Sequence, residues 1–190
     1  PSNIIDDSGG LLAVTTANPN LMYATMLSTD YTPLLYKGIL SGNNWTWTKA
    51  IDCNTNALPY NNGQGYFDLV LEISPTNQNH IFVGTTTLFK TINGFLSFDA
   101  IGGYFGRFSI HPYIQDIVWL PDGESVYVAT DGGISFSNDA FETDFQPIIN
   151  GMVGSDMWGF DQGWNEDIVV GGRYHNGNTA MADFYNGKAL

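Results

Sequence analysis

Residues 114–130, with the sequence IQDIVWLPDGESVYVAT, contain the unit that decides the fold. An apolar segment at 114–119 is followed at 121–123 by Pro, Asp and Gly, which are residues that tight turns prefer. A second segment at 126–130 is rich in β-branched and aromatic residues and ends in a small residue followed by Thr. The stretch therefore predicts two antiparallel strands joined by a turn.

Three other segments, at 11–25, 67–85 and 157–172, repeat this order of strand, turn and strand. The small residues that mark the second strands are Ala24, Gly84, Ala129 and Gly171. They are spaced by roughly 40 to 60 residues, a range that includes the length of a propeller blade. We therefore predict an all-β fold, a β-propeller with about four visible blades at about 8–50, 64–100, 112–148 and 155–190. An irregular β-sandwich is the alternative, but sandwiches do not repeat one strand-turn-strand order.

In each repeat the second strand is followed by a third, and polar turns with a shared pattern follow these third strands. Residues 91–98 read TINGFLSF, residues 137–143 read SNDAFET, and a shortened copy at 41–47 reads SGNNWTW. They look like the Asp-box, in which an acid or amide caps backbone N–H groups, a small residue allows an unusual φ, and an aromatic ring packs between blades. The residues that fit this structural role are Asn43, Asn93, Ser97, Phe98, Asp139 and Thr143.

Composition excludes several classes of partner. The chain has 19 acidic and 6 basic residues, a formal net charge of −13, so it cannot form the basic groove that nucleic acid requires. It contains no apolar run of about 18 residues, and we predict no membrane span. Cys53 is the only cysteine, which excludes an intrachain disulfide and a Cys-based metal cluster. We predict no cofactor and no metal site, and the acidic, Lys-poor composition is typical of an extracellular protein.

Three stretches carry a resemblance to a known family: GQGYFD at 63–68, ATDGGI at 129–134 and GGRYHNGNT at 171–179. Over about residues 60–180 the chain resembles BNR-repeat propellers of the sortilin/VPS10 and xyloglucanase types, as in secreted Bacteroidetes proteins that use type IX secretion. The resemblance implies a larger ring of about seven blades and a secreted or cell-surface bacterial protein. The chain departs from the family at 111–116, where His111 alone remains of an H-x-D-x-H pattern, and at Tyr174 and His175, which replace Gln-Asp.

Candidate ligand contacts occur in two places. Tyr174, His175, Asn176 and Asn178 follow a predicted buried strand, and functional residues concentrate on such loops. His111 and Asp116 flank the start of the third repeat. The alternative roles are structural, namely turn chemistry for the Asn residues and a satisfied loop position for His111. Other acidic and aromatic residues also have two possible roles: they could line the central funnel of the propeller or support a turn or a blade. They include Asp68, Asp131, Asp161, Trp45, Trp47, Tyr66 and Trp164.

We assign no catalytic residue. A sialidase site needs three arginines, and this chain has two, Arg107 and Arg173. The predicted function is a non-catalytic propeller segment for adhesion, protein contact or glycan binding, with other blades, another protein chain or a glycan as partners. One alternative is a fragment of a xyloglucanase-type glycoside hydrolase, which needs two carboxylates at a suitable separation. The other is a structural subunit of a surface assembly.

Overall fold

The computed structural model describes residues 9–52, 58, 64–152, 157–165, 168–173 and 177–182, and within these ranges every regular element is a β-strand. The chain forms two compact units, Pro1–Ile149 and Asn150–Leu190. The described part contains no helix that could span a membrane.

The first unit contains three four-stranded antiparallel sheets, each with strands in chain order. Sheet 1 consists of β1 (Gly10–Val14), β2 (Leu21–Leu27), β3 (Pro33–Ser41) and β4 (Asn44–Asp52). Sheet 2 consists of β5 (Val70–Ile73), β6 (Ile81–Gly84), β7 (Thr87–Thr91) and β8 (Asp99–Gly103). Sheet 3 consists of β9 (Ile114–Trp119), β10 (Val126–Thr130), β11 (Gly133–Ser137) and β12 (Gln146–Pro147).

The second unit contains sheet 4, in which β13 (Met157–Gln162), β14 (Ile168–Arg173) and β15 (Gly177–Ala182) pair antiparallel in chain order. The four sheets confirm the predicted all-β propeller with four visible blades. Repeated meanders of this kind are the building unit of a propeller.

The cores of the first unit lie between consecutive sheets. Alternate residues of a strand point to opposite faces, so each central strand supplies two cores. Leu71 and Ile73 belong to the cluster that joins sheet 2 to sheet 1, whereas Val70 belongs to the cluster that joins sheet 2 to sheet 3. As a result the first strands β1, β5 and β9 lie next to one another, as the innermost strands of adjacent blades do.

In an antiparallel sheet with strands in chain order, the loops alternate between the two ends of the strands. We call these two ends of the first unit the upper edge and the lower edge. The upper edge holds the loops between second and third strands together with the connections between sheets. The lower edge holds the loops between first and second strands and those between third and fourth strands. Tyr113 at the upper edge donates its amide hydrogen to the carbonyl oxygen of Thr86, so the connection into sheet 3 is bonded to the loop of sheet 2.

Two lower-edge turns share one hydrogen-bond pattern. In sheet 2 the Asn93 side-chain oxygen accepts the amides of Leu96 and Ser97, both at 3.0 Å. In sheet 3 the Asp139 carboxylate accepts the amides of Glu142 and Thr143, also at 3.0 Å. The side chain two residues earlier, Thr91 or Ser137, receives the amide of a buried phenylalanine in each turn.

The predicted copy around Asn43 has a different geometry. Ser41 pairs with Asn44, which leaves Gly42 and Asn43 as a two-residue hairpin turn, with Gly42 at φ 60°. Such a turn has too few residues to present several amides to one side chain.

Each of the two turns capped by Asn93 and Asp139 also buries a phenylalanine that the sequence pattern did not single out. Phe95 and Phe141, at φ 79° and 59°, are the buried rings, whereas Phe98 is only partly buried and stacks on Phe95 at 5.7 Å. The left-handed backbone at a phenylalanine is strained, and the surrounding hydrogen bonds hold it.

Candidate functional site

The structure describes three of the six predicted ligand contacts, Asn178, Asp116 and His111. Tyr174, His175 and Asn176 lie outside the described residues. Asn178 lies on β15 opposite Gly172 in the sheet register. Asp116 lies on β9 and His111 in the connection that precedes this strand.

His111 supports a turn. Its ring packs so closely on Gly132 that a Cβ added to this glycine would lie 2.3 Å from the histidine Cγ. Its Nδ1 atom lies 2.9 Å from the carbonyl oxygen of Pro112. The Asp116 carboxylate accepts the amide hydrogen of Ile117 at 2.9 Å and faces a groove.

This groove runs along the first strands of all three sheets of the first unit and has a volume of about 670 Å³. It is lined by Val14, Thr15, Thr16, Glu72, Ile73, Pro75, Thr76, Asp116, Ile117, Val118, Trp119 and Pro121. The groove therefore combines apolar walls, hydroxyl groups and two carboxylates. We call it the inner groove.

The charge of one carboxylate of the inner groove acts on the other. Burial raises the pKa of Glu72, and the negative charge of Asp116 raises it further. Asp116 itself is exposed. Sequence analysis missed Glu72, and the signal available was a single acid within the apolar strand VLEI.

One wall of the inner groove is backed by packed aromatic rings. The Trp119 ring makes an edge contact with His80 at 4.9 Å and packs on Phe82 at 5.2 Å. Burial and the nearby charge of Lys90 lower the pKa of His80 to about 4, so this imidazole is neutral at physiological pH.

The upper edge carries two tyrosine pairs. Tyr31 and Tyr66, 43% and 63% exposed, meet edge to face at 5.0 Å where sheet 1 joins sheet 2. Tyr104 and Tyr113 meet at 5.6 Å between sheets 2 and 3, and their hydroxyl oxygens lie 2.6 Å apart. One member of each pair, Tyr31 or Tyr113, has a left-handed backbone at φ 59° or 64°.

Further aromatic surface adjoins both pairs. Phe67 follows Tyr66 and Phe105 follows Tyr104, and both phenylalanines are exposed. Exposed large apolar side chains grouped in this way mark a binding surface more often than scattered ones do.

An acidic pair lies at the same edge. Asp68 is 1% exposed and its carboxylate oxygens have no hydrogen-bond partner of normal geometry. Burial raises the pKa of Asp68 to about 7, its own nearby amide opposes this shift, and the charge of Asp131 adds to it. Asp131 is exposed and accepts the Gln115 side-chain amide at 2.8 Å.

The other aromatic residues that the sequence offered as funnel-lining candidates lie on separate elements. Trp45 and Trp47 stack in a third apolar cluster, which is formed by sheet 1 alone, and Trp45 is partly buried there. Trp164 is exposed in the loop between β13 and β14. In the described part of the chain no group of three or more His, Cys, Asp or Glu side chains converges to hold a metal ion.

Comparisons with known proteins bear on the fold. No family model and no curated protein matches this sequence. Among solved structures, the crystal structure of a GH74 enzyme from Niastella koreensis is similar, with a TM-score of 0.54 and 18% sequence identity. The similarity covers 94% of this chain and 29% of that chain, so this chain spans less than a third of the length of the enzyme.

Proposed function

We propose that this chain is a glycan-binding segment of a secreted bacterial β-propeller, and that the upper edge is its binding surface. The observation that carries the proposal is the two tyrosine contacts, Tyr31 with Tyr66 and Tyr104 with Tyr113, in which three of the four rings are exposed. The rings lie at consecutive sheet junctions, so an extended ligand can cross both.

The chemistry of the surface favours sugars. An aromatic ring offers an apolar face to the C–H groups of a pyranose, while the tyrosine hydroxyl provides a polar contact. The exposed carboxylate of Asp131 and the amide of Gln115, held together at 2.8 Å, add hydrogen-bonding groups beside the rings. A ligand with both ring faces and hydroxyl groups fits this combination.

Charge restricts the class of glycan. The formal net charge is −13, and burial together with the neighbouring charge of Asp131 already raises the pKa of Asp68. A uronic or sialic acid would add a further anion at this edge. The proposed ligand is therefore a neutral polysaccharide.

The proposal includes an assignment of the repeats to a family. The matching hydrogen bonds of the Asn93 and Asp139 turns support BNR or Asp-box repeats, as in sortilin-like propellers. Membership of a larger ring of about seven blades, and export by type IX secretion to the cell surface, are proposed on the sequence resemblance alone. Adhesion through the bound glycan would follow from such a location.

The test is titration of the full chain with neutral xyloglucan oligosaccharides, followed by calorimetry. We expect Tyr66→Ala and Tyr104→Ala each to weaken binding by roughly tenfold, equivalent to about 1.4 kcal/mol. Tyr127→Ala is the matched control, because Tyr127 is an exposed tyrosine within strand β10 that packs on Phe136. Equal losses in all three variants, or none in the first two, would remove the upper edge as the binding surface.

A fragment of a xyloglucanase-type glycoside hydrolase is the second candidate. It is favoured by Asp68, because a carboxyl group with a pKa of about 7 keeps a large protonated fraction at neutral pH, as a general acid requires. The fold similarity to a GH74 enzyme agrees with it. Burial keeps Asp68 from direct contact with a sugar in this conformation, which is why binding without chemistry is the first candidate.

Reducing-end release from xyloglucan separates the two candidates. A hydrolase would show release that Asp68→Asn abolishes without weakening oligosaccharide binding. If the parent and Asp68→Asn both bind the oligosaccharide and neither releases reducing ends, the non-catalytic role is supported.

A further inference from the structure

The inner groove is separate from the tyrosine pairs and has a different chemical character. It lies along β1, β5 and β9 and continues to the lower-edge loops at Pro75 and Pro121. Three sheets contribute to it, so its shape depends on the packing of the blades. Its two carboxylates, Glu72 and Asp116, lie on neighbouring first strands.

These carboxylates lack a counterion in the described part of the chain. Glu142 provides the contrast, because its carboxylate lies 2.7 Å from Lys90 Nζ and 3.9 Å from an Arg107 nitrogen. No Lys or Arg described in the structure forms such an ion pair with Glu72 or Asp116. Two like charges facing one cavity repel, and a bound cation relieves the repulsion.

The dimensions and walls of the groove indicate what kind of cation fits. A volume of about 670 Å³ is far larger than a bare metal ion and accommodates a side chain with its flanking backbone. The Trp119 ring forms part of the wall, and its contacts with His80 and Phe82 hold it in place. Cations bind favourably over an indole face.

We propose that the inner groove binds an arginine side chain of a protein partner. The planar guanidinium can donate to two carboxylates at once and stack on an indole, which the compact ammonium of lysine does less well. Glu72 and Asp116 accept its hydrogens, Trp119 covers its face, and the apolar residues Val14 and Val118 contact its methylene groups or the flanking peptide. The partner's charge is complementary to this acidic chain.

The test uses the full chain with indole-labelled tryptophan and two short peptides. Acetyl-Gly-Arg-Gly-amide is the probe, and acetyl-Gly-citrulline-Gly-amide has the same shape without the charge. We expect the arginine peptide to shift the Trp119 indole signal in NMR spectra, which Trp119→Phe identifies. The citrulline peptide should bind at least tenfold more weakly.

Variants place the interaction at the inner groove. Glu72→Gln and Asp116→Asn should each weaken binding of the arginine peptide by fivefold or more. Glu124→Gln removes the same charge from an exposed position outside the groove and should leave binding within twofold. Circular dichroism checks that each variant keeps the β-sheet spectrum of the parent.

Three outcomes would overturn the proposal. Equal binding of both peptides would show that charge is not recognised, and equal weakening in Glu124→Gln would indicate a general effect of the net charge. Displacement of the peptide by a neutral xyloglucan oligosaccharide would assign the groove to sugar instead. Glycan binding at the tyrosine pairs is measured with oligosaccharides and tyrosine variants, whereas arginine binding is measured with peptides and variants of the groove carboxylates. A negative result for one proposal therefore leaves the other untouched.

Discussion

Asn93 and Asp139 cap corresponding turns of consecutive sheets, each accepting the backbone amides three and four residues further along the chain. The amide in one turn and the carboxylate in the other make the same bonds, so the position requires an acceptor oxygen and not a charge. Both turns hold a buried phenylalanine in a left-handed conformation. The side-chain caps thus fix the backbone that aims each ring into the core.

We expect Asn93→Ala and Asp139→Ala each to lower the free energy of unfolding by about 1 kcal/mol, as loss of a capping side chain does elsewhere. Urea denaturation measures this loss. Asn43→Ala is the control, because Asn43 occupies a two-residue hairpin and should change stability by less than about 0.5 kcal/mol. A loss at Asn43 as large as at the other two would refute the distinction between the turns.

The charge in one turn adds a pH dependence. Burial raises the pKa of Asp139, but hydrogen bonds from Thr143, Ser137 and the amide of Glu142 lower it more, and the pKa falls below its ordinary value. A lowered pKa means that stability is lost as the pH falls through the acid range. The loss of unfolding free energy caused by Asp139→Ala should therefore be smaller at acid pH, whereas the loss caused by Asn93→Ala should not depend on pH.

Lys90 joins sheet 2 to sheet 3 and gives a second prediction. It is 2% exposed, and its Nζ donates to the carbonyl oxygen of Ala140 at 2.9 Å and to Glu142 at 2.7 Å. Lys90→Met should cost roughly 1–3 kcal/mol, because it leaves a buried carbonyl without a donor. Glu142→Gln should cost less than about 1 kcal/mol, since Glu142 is half exposed and the amide oxygen can still accept. Calorimetric melting of both variants measures the difference, and equal losses would contradict this division of roles.

The sequence predicts the fold better than the sites for a physical reason. Strand order and turns are local, so segments such as 114–130 indicate their hairpins directly, and the predicted strand at 114–119 matches β9. The strand expected to begin at Phe67 instead begins at Val70, because residues 65–68 form a turn that buries Asp68. That burial depends on the neighbouring sheets.

The inner groove shows the limit of local patterns most clearly. Asp116 is identifiable as an acid on a strand, but its neighbour Glu72 belongs to another repeat. The two approach only because β5 and β9 are the first strands of adjacent sheets. Phe95 shows the same limit, since two left-handed residues, Gly94 and Phe95, reverse the chain and bury this ring, while Phe98 packs against the same core cluster.

Asp68 carries the third prediction, on pH. Burial raises its pKa to about 7 in the folded protein, against about 4 in an unfolded chain. Between these values the folded state holds a proton that the unfolded state has lost, so stability falls as the pH rises from about 4 to 7 and does not recover above it. Asp68→Asn cannot ionise and should remove this decline. The stability of the variant relative to the parent should rise by several kcal/mol between pH 4.5 and pH 8, because one pKa unit corresponds to about 1.4 kcal/mol.

Urea unfolding at pH 4.5, 6 and 8 measures the effect as the difference between variant and parent. His80 has a lowered pKa and titrates with the opposite sign, but it is present in both proteins and cancels. Asp99→Asn, at an exposed carboxylate in β8, is the charge-matched control and should track the parent at each pH. If Asp68→Asn also tracks the parent, the carboxylate is ionised in the folded protein, and a cation or water must then satisfy its two buried oxygens.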